Sequence, residues 1–384
     1  MIDEKILQNQ ALASHALFFD PVNRDLERYN DEKGRPMGRY TEKAPGVRVL
    51  PDGSAVFTVD APHAKTVEVA GIGGTMGREH HPLHKDADGL WRATVRGIGA
   101  GMHYHEYFVD GNSVTSDLAP YGYGCSRAIN FFEMPDNDSG FYLLQDVPHG
   151  TVRMDYYFSS VTGRLRNCFV YTPPGYETSQ ERYPVVYLQH GGGETESGWV
   201  WQGKAPYILD NLLAAGECRR MIVVMNSGYA FFPDGSGHPA RGCFDRVLAE
   251  DCIPFIDGKY RTIAGAAGRA MAGLSMGGFQ TQATVMRYPE LFSAMGLFSA
   301  ILVTDDGADD YTPVLEHSEV FRKNMRLLFV TSGEQEPMCS VNRATVQELA
   351  QKGLPAVFCS YPGYHEWQVW RYSARAFFQR VFRS

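Results

Sequence analysis

Apolar and polar residues alternate with period two in the first third of the chain. Residues 55–59 (Ala-Val-Phe-Thr-Val), 66–70, 91–95 and 103–109 each read as a short strand with one face turned to a core. Turn formers separate them: Pro51-Asp52-Gly53-Ser54, Asp86-Ala87-Asp88-Gly89 and Asp110-Gly111-Asn112. Short strands at this spacing predict an all-β, immunoglobulin-like sandwich over residues 46–134. Residues 1–45 read as a polar N-terminal extension, with a short helix around 6–18 and a loop at 31–36. Residues 135–150 read as a linker.

Beyond Gly150 the pattern changes. Residues 184–188, 221–225, 294–298, 327–330 and 357–361 are continuous apolar runs, as expected of strands buried on both faces. Residues 207–213 between them read as helix, with Pro206 suited to a first turn and Gly216 to a stop. Trp367, Trp370, Ala374, Phe377, Phe378 and Val381 share one face of a last helix. Strand–helix alternation predicts an α/β domain over 151–384, a mostly parallel sheet with helices on both faces.

Composition adds limits. The chain has 384 residues, 44% hydrophobic and 21% charged, room for two ordinary globular domains. A formal charge of −8 argues against nucleic acid or an anionic membrane as partner. No apolar run reaches membrane-spanning length. Seven scattered cysteines, an odd number with no Cys-x-x-Cys, suit reduced thiols. The charged start, Met1-Ile2-Asp3-Glu4-Lys5, lacks the apolar core of a leader, so the expected location is the cytoplasm. No cofactor and no metal is implied: His80, His81 and His84 lack ligand partners at coordinating spacing. A homodimer is admitted.

The chemistry centres on Gly273-Leu274-Ser275-Met276-Gly277. An apolar run enters this Gly-x-Ser-x-Gly sequence and a helix-compatible stretch leaves it, the pattern of a strand–turn–helix that lifts a serine hydroxyl above a sheet. A serine needs a base, an acid to orient that base, and donors for an oxyanion. His365, between the strand at 357–361 and the last helix, is the candidate base. The acid is sought after the strand at 327–330: Glu336 first, Glu334 next, then Asp305, Asp306, Asp309 or Asp310. The order Ser…acid…His is that of α/β-hydrolases. The oxyanion donors expected are the N–H groups of Met276 and Gly192, the latter in Gln189-His190-Gly191-Gly192-Gly193 after the strand at 184–188.

These stretches resemble the esterase D-like family. The similarity runs through Val170-Tyr171-Thr172-Pro173-Pro174-Gly175-Tyr176, Gln189-His190-Gly191, Gly273-Leu274-Ser275-Met276-Gly277-Gly278 and Gly363-Tyr364-His365-Glu366-Trp367, over residues 148–384. Within it the sequence looks most like feruloyl esterases of the first carbohydrate esterase family; enterochelin and acetyl-xylan esterases are the rival activities. Many such enzymes have aspartate where Glu336 stands. The resemblance implies an α/β-hydrolase fold and an oligosaccharide or small-molecule ester as substrate. An aromatic acyl group then makes Trp199, Trp201, Tyr229 and Trp367 candidate substrate contacts. Residues 51–57, 61–64, 88–91 and 107–111 resemble sandwich modules related to family forty-eight carbohydrate-binding modules. A non-enzymatic alternative is a glycan-binding protein on an esterase scaffold.

Overall fold

The computed structural model describes residues 24–135, 138–238, 241–303 and 309–383. The helix expected around 6–18 lies outside them. The chain divides into two compact units, one of residues 1–123 and 127–140, the other of 124–126 and 141–384.

Among its described residues the first unit is built of β-strands. Its strands are β1 (Arg24–Asn30), β2 (Pro36–Glu42), β3 (Val47–Val49), β4 (Ala55–Val59), β5 (Val67–Gly71) and β6 (His80–Pro82). Then follow β7 (His84–Lys85), β8 (Trp91–Val95), β9 (Gly101–Val109), β10 (Asn112–Val114), β11 (Tyr121–Gly124) and β12 (Arg127–Met134). One sheet runs β3-β4-β8-β7 and the other β11-β12-β9-β5-β6, with β10 on β9. Their inward residues, among them Phe57, Val69, Trp91, Tyr107 and Phe132, form one core, and the Tyr107 hydroxyl donates to Gly46 and Thr58 carbonyls. The expected sandwich is present. The polar extension differs from its reading, because β1 and β2 pair as a hairpin and the loop at 31–36 is its turn. Leu26, Tyr29, Met37 and Tyr40 are exposed on it, so no buried face gives it an alternating signature.

The second unit is α/β. Its strands are β13 (Thr151–Ser159), β14 (Arg164–Thr172), β15 (Val185–Gln189), β16 (Ile222–Asn226), β17 (Arg269–Leu274), β18 (Ala294–Phe298), β19 (Leu327–Gly333) and β20 (Ala356–Tyr361). They form one sheet in the order β13-β14-β16-β15-β17-β18-β19-β20. β13 and β14 are antiparallel, and the strands from β16 onward are parallel. Every residue of β15, β16, β17, β18 and β19 is buried, which is why these strands read as unbroken apolar runs. The expected linker is not a plain one. Phe141, Tyr142 and Leu143 are buried, and the Asn211 side-chain amide donates to the carbonyls of Phe141 and Leu143.

Register positions the chemistry. Leu274 sits beside Phe298, Phe298 beside Thr331, and Thr331 beside Cys359. Four neighbouring strands therefore end at one edge of the sheet, where open α/β sheets place ligands.

Candidate active site

Ser275 lies between β17 and the helix Met276–Arg287, with φ 51° and ψ −118°. A non-glycine residue in this region is strained, and the surroundings hold it there. Its N–H donates to the Phe298 carbonyl at 2.8 Å, and its carbonyl accepts from Gly278. The flanking glycines are required by space. A Cβ on Gly273 would stand 2.3 Å from the Gly277 carbonyl oxygen, and one on Gly277 2.4 Å from that of His190. Gly278 is needed as well, since its Cβ would meet that of Ala300 at 2.4 Å.

The glycine loop after β15 closes on this turn. A Cβ at Gly191 would lie 3.4 Å from the Ser275 Cβ, and one at Gly192 4.0 Å from the Met276 Cβ. Gly192 is exposed, and Met276 opens its helix, where N–H groups have no intrahelical acceptor. His190 fixes the loop from beneath. Its Nδ1 faces the Gly191 carbonyl at 2.8 Å and its Nε2 accepts from the Gly228 N–H at 2.8 Å, which defines the neutral Nδ1–H tautomer. Burial pushes its pKa down to about 4 and holds it in that state. The third glycine is held from the other side: the Gly193 N–H donates to the Tyr229 hydroxyl at 2.6 Å.

Glu336 is buried to 2% side-chain exposure, whereas Glu334 is exposed. Glu336 Oε1 meets His365 Nδ1 at 2.5 Å. Its Oε2 accepts from the Ser299 hydroxyl at 2.7 Å and the Gly333 N–H at 2.6 Å. A carboxylate with both oxygens occupied in this way is fixed in orientation. It selects the Nδ1–H tautomer of His365 and leaves Nε2 as the basic atom. The imidazole is half-exposed, with its ring edge-on to Trp370 at 5.0 Å between centroids. Ser275 and the acid are linked through β18: Ser275 bonds the Phe298 carbonyl, and the next residue, Ser299, bonds Glu336. Among the described residues no hydrogen bond joins the Ser275 hydroxyl to His365; in unliganded sites such bonds are commonly long and tighten with substrate.

Of the alternative acids, the described ones are engaged elsewhere. Asp309 pairs with Arg241 at 2.8 Å, Asp310 accepts from the Thr312 N–H, and Asp305 and Asp306 lie outside the described residues. Two expected substrate contacts are corrected. Trp199 is fully buried, its indole N–H bonded to the Gln189 carbonyl, and Trp367 is buried edge-on against it. Trp199 ties into the strand end that leads to the glycine loop, Trp367 packs on Trp199 and Trp370, and neither buried ring offers a face to a ligand. Tyr229 is 44% exposed and Trp201 is half-buried, so these two are accessible. Ser299, with φ 48°, was not foreseen. Its position just past the apolar run 294–298 was the available signal.

Residues 159–378 match the family described as Putative esterase, and residues 45–122 match Carbohydrate-binding module 48 (Isoamylase N-terminal domain). The chain belongs to the Putative esterase family, and with it to the esterases. An endo-1,4-beta-xylanase/feruloyl esterase of Xylanibacter ruminicola is 35% identical over 95% of the chain; the chain spans 49% of that protein's length. A solved ferulic acid esterase is 27% identical, covering 61% of this chain and 98% of its own, with a TM-score of 0.51. The enterobactin esterase of Shigella flexneri covers 88% of this chain and 95% of its own at 16% identity, TM-score 0.64, a likeness of fold. Among the described residues no helix is long and apolar enough to cross a membrane.

Proposed function

We propose that this esterase hydrolyses hydroxycinnamoyl esters of plant cell-wall oligosaccharides, releasing ferulate or p-coumarate. Ser275 attacks the ester carbonyl while His365 Nε2 takes its proton, and Glu336 holds the imidazole. The N–H groups of Gly192 and Met276 stabilise the tetrahedral oxyanion. His365 then protonates the leaving sugar oxygen, and water, activated by the same imidazole, releases the acid from Ser275. Tyr229 and Trp201 are the proposed contacts for the aromatic acyl group. The observation that carries the chemistry is the Glu336–His365 pair at the strand edge where Ser275 stands. The 35% identity to a xylanase/feruloyl esterase carries the substrate class.

A siderophore trilactone is the second reading, favoured by the enterobactin esterase likeness over 88% of the chain. The cations near these segments weigh against it. Lys204 is buried over the Tyr142 ring, and the Arg166 guanidinium is bonded to the carbonyls of Ser227 and Tyr229, so neither is presented to a catecholate. Methyl ferulate, acetylated xylan and a catecholate trilactone assayed side by side test the proposal. Turnover of methyl ferulate at least tenfold above the others is expected; cleavage of the trilactone alone overturns it. All seven cysteines are free thiols, which supports a reducing compartment, the cytoplasm.

A further inference from the structure

The eight-stranded sheet ends differently on its two sides. β20 is six residues long, half-buried throughout, with no large exposed apolar side chain. β13 is nine residues long. Among the described residues its backbone bonds only to β14, which leaves one row of its N–H and C=O groups without a strand partner. Its inner face is secured: Asp155 binds Lys259 and Tyr260, and Tyr157 stacks on Phe255. Its outer face is not. Met154 is 48% exposed, Tyr156 62%, Phe158 63%, and Leu165 on β14, opposite Phe158, 75%. Proteins ordinarily blunt such an edge with lysine, proline, a bulge or a covering helix. Among the described residues the outer face carries none of these.

We propose that a second copy of this chain pairs along β13, antiparallel across a two-fold axis, and continues the sheet through the interface. A strand is its own complement in this arrangement, since each outward N–H finds a C=O on the identical strand. The side chains select a register. With the axis at Tyr156, Met154 faces Phe158 of the partner subunit on the outer face, and Tyr156 faces its own counterpart. No like charges are opposed, whereas an axis at Asp155 would set two carboxylates against each other. Met154, Tyr156 and Phe158 on both copies, with the two nine-residue strand edges, bury on the order of 1,000 Å², the size a specific interface must reach. Ser275 follows β17, four strands away, so about 19 Å of sheet separates the interface from the chemistry. This inference does not rest on the proposed substrate.

Sedimentation velocity across 1–100 μM tests it. The wild-type chain is expected at twice its 42.8 kDa mass. The doubly substituted Tyr156→Lys/Phe158→Lys protein is expected at the single-chain mass, with unchanged far-UV circular dichroism and unchanged turnover per chain. Hydrogen exchange on the wild type supplies a reading without substitution: β13 amides should gain at least tenfold protection between low and high concentration. A wild-type monomer at 100 μM overturns the proposal. So does a dimer that survives both lysines, which would place the contact elsewhere, for instance on the β1–β2 hairpin. Protection of β13 by a xylo-oligosaccharide in a monomeric protein would assign the aromatic face to glycan and overturn it too.

Discussion

The sandwich buries His105 and the esterase unit buries His190, and the two imidazoles sit in different company. His105 is packed among Phe57, Tyr107 and Phe132, and neither ring nitrogen has a hydrogen-bond partner. His190 has both nitrogens engaged, by the Gly191 carbonyl and the Gly228 N–H. Each is held neutral by burial, His105 pushed down to about 3 and His190 to about 4. The first behaves as a ring that fills volume, and the core tolerates its two unmet polar atoms. The second is a latch between two loops. In the sandwich, shape decides; at the sheet edge of the esterase unit, directed hydrogen bonds decide.

The sharpest way to break this contrast is to remove groups at the edge. Ser275→Ala should lower ester turnover by at least about 10⁴-fold, measured as steady-state release of acid from an aryl ester, because no other group replaces the proposed nucleophile. Glu336→Gln should lower kcat by roughly 10³- to 10⁴-fold, since the amide no longer selects the Nδ1–H tautomer. Glu334→Gln, altering an exposed neighbour, should change it less than about twofold. Equal losses in the two would refute the assignment of the acid.

Exchanging the histidines for phenylalanine tests the comparison directly. His190→Phe should reduce kcat about 10²-fold with KM little altered, because the glycine loop loses its anchor and the proposed oxyanion donors their aim. His105→Phe should leave both constants within about twofold. Far-UV circular dichroism on both variants separates misplacement from unfolding.

Stability against pH gives the smallest effect and a defined sign. Both histidines have folded pKa values below the ordinary 6.5. The unfolded chain therefore takes up protons first as pH falls. Their contribution to stability is complete above about pH 6.5, and it is lost as pH falls towards 4 for His190 and towards 3 for His105. Urea midpoints between pH 7 and pH 4 should drop in the wild type. They should drop less in His105→Leu, which at pH 7 should gain about 1 kcal/mol by deleting two unpaired buried atoms. A slope unchanged by that substitution would show that His105 titrates normally.

Much of this molecule is legible in its sequence. The apolar runs at 184–188, 221–225 and 294–298 became β15, β16 and β18 within a residue at either end, because strands buried on both faces leave continuous hydrophobic text. Gly273, Ser275 and Gly277 announced the tight turn, since their spacing is itself local geometry. The β1–β2 hairpin was not legible, having no buried face to impose a period. The substrate-contact reading of Trp199 and Trp367 failed for the opposite reason. A tryptophan near the site in sequence can point into the core as readily as towards a ligand, and strand register with helix packing chose the core.

The chain by itself determined two things: which segments with a buried face become strands and helices, and which residue types stand at the strand ends. Both follow from periodicity and backbone sterics, which act between neighbours in sequence. Only the tertiary structure decided between Glu336 and Glu334. They lie two residues apart with the same chemistry, and the loop after β19 buries one carboxylate between Ser299, Gly333 and His365 while leaving the other in water. That choice depends on groups 37, 3 and 29 residues away along the chain, brought together by the alignment of β18, β19 and β20.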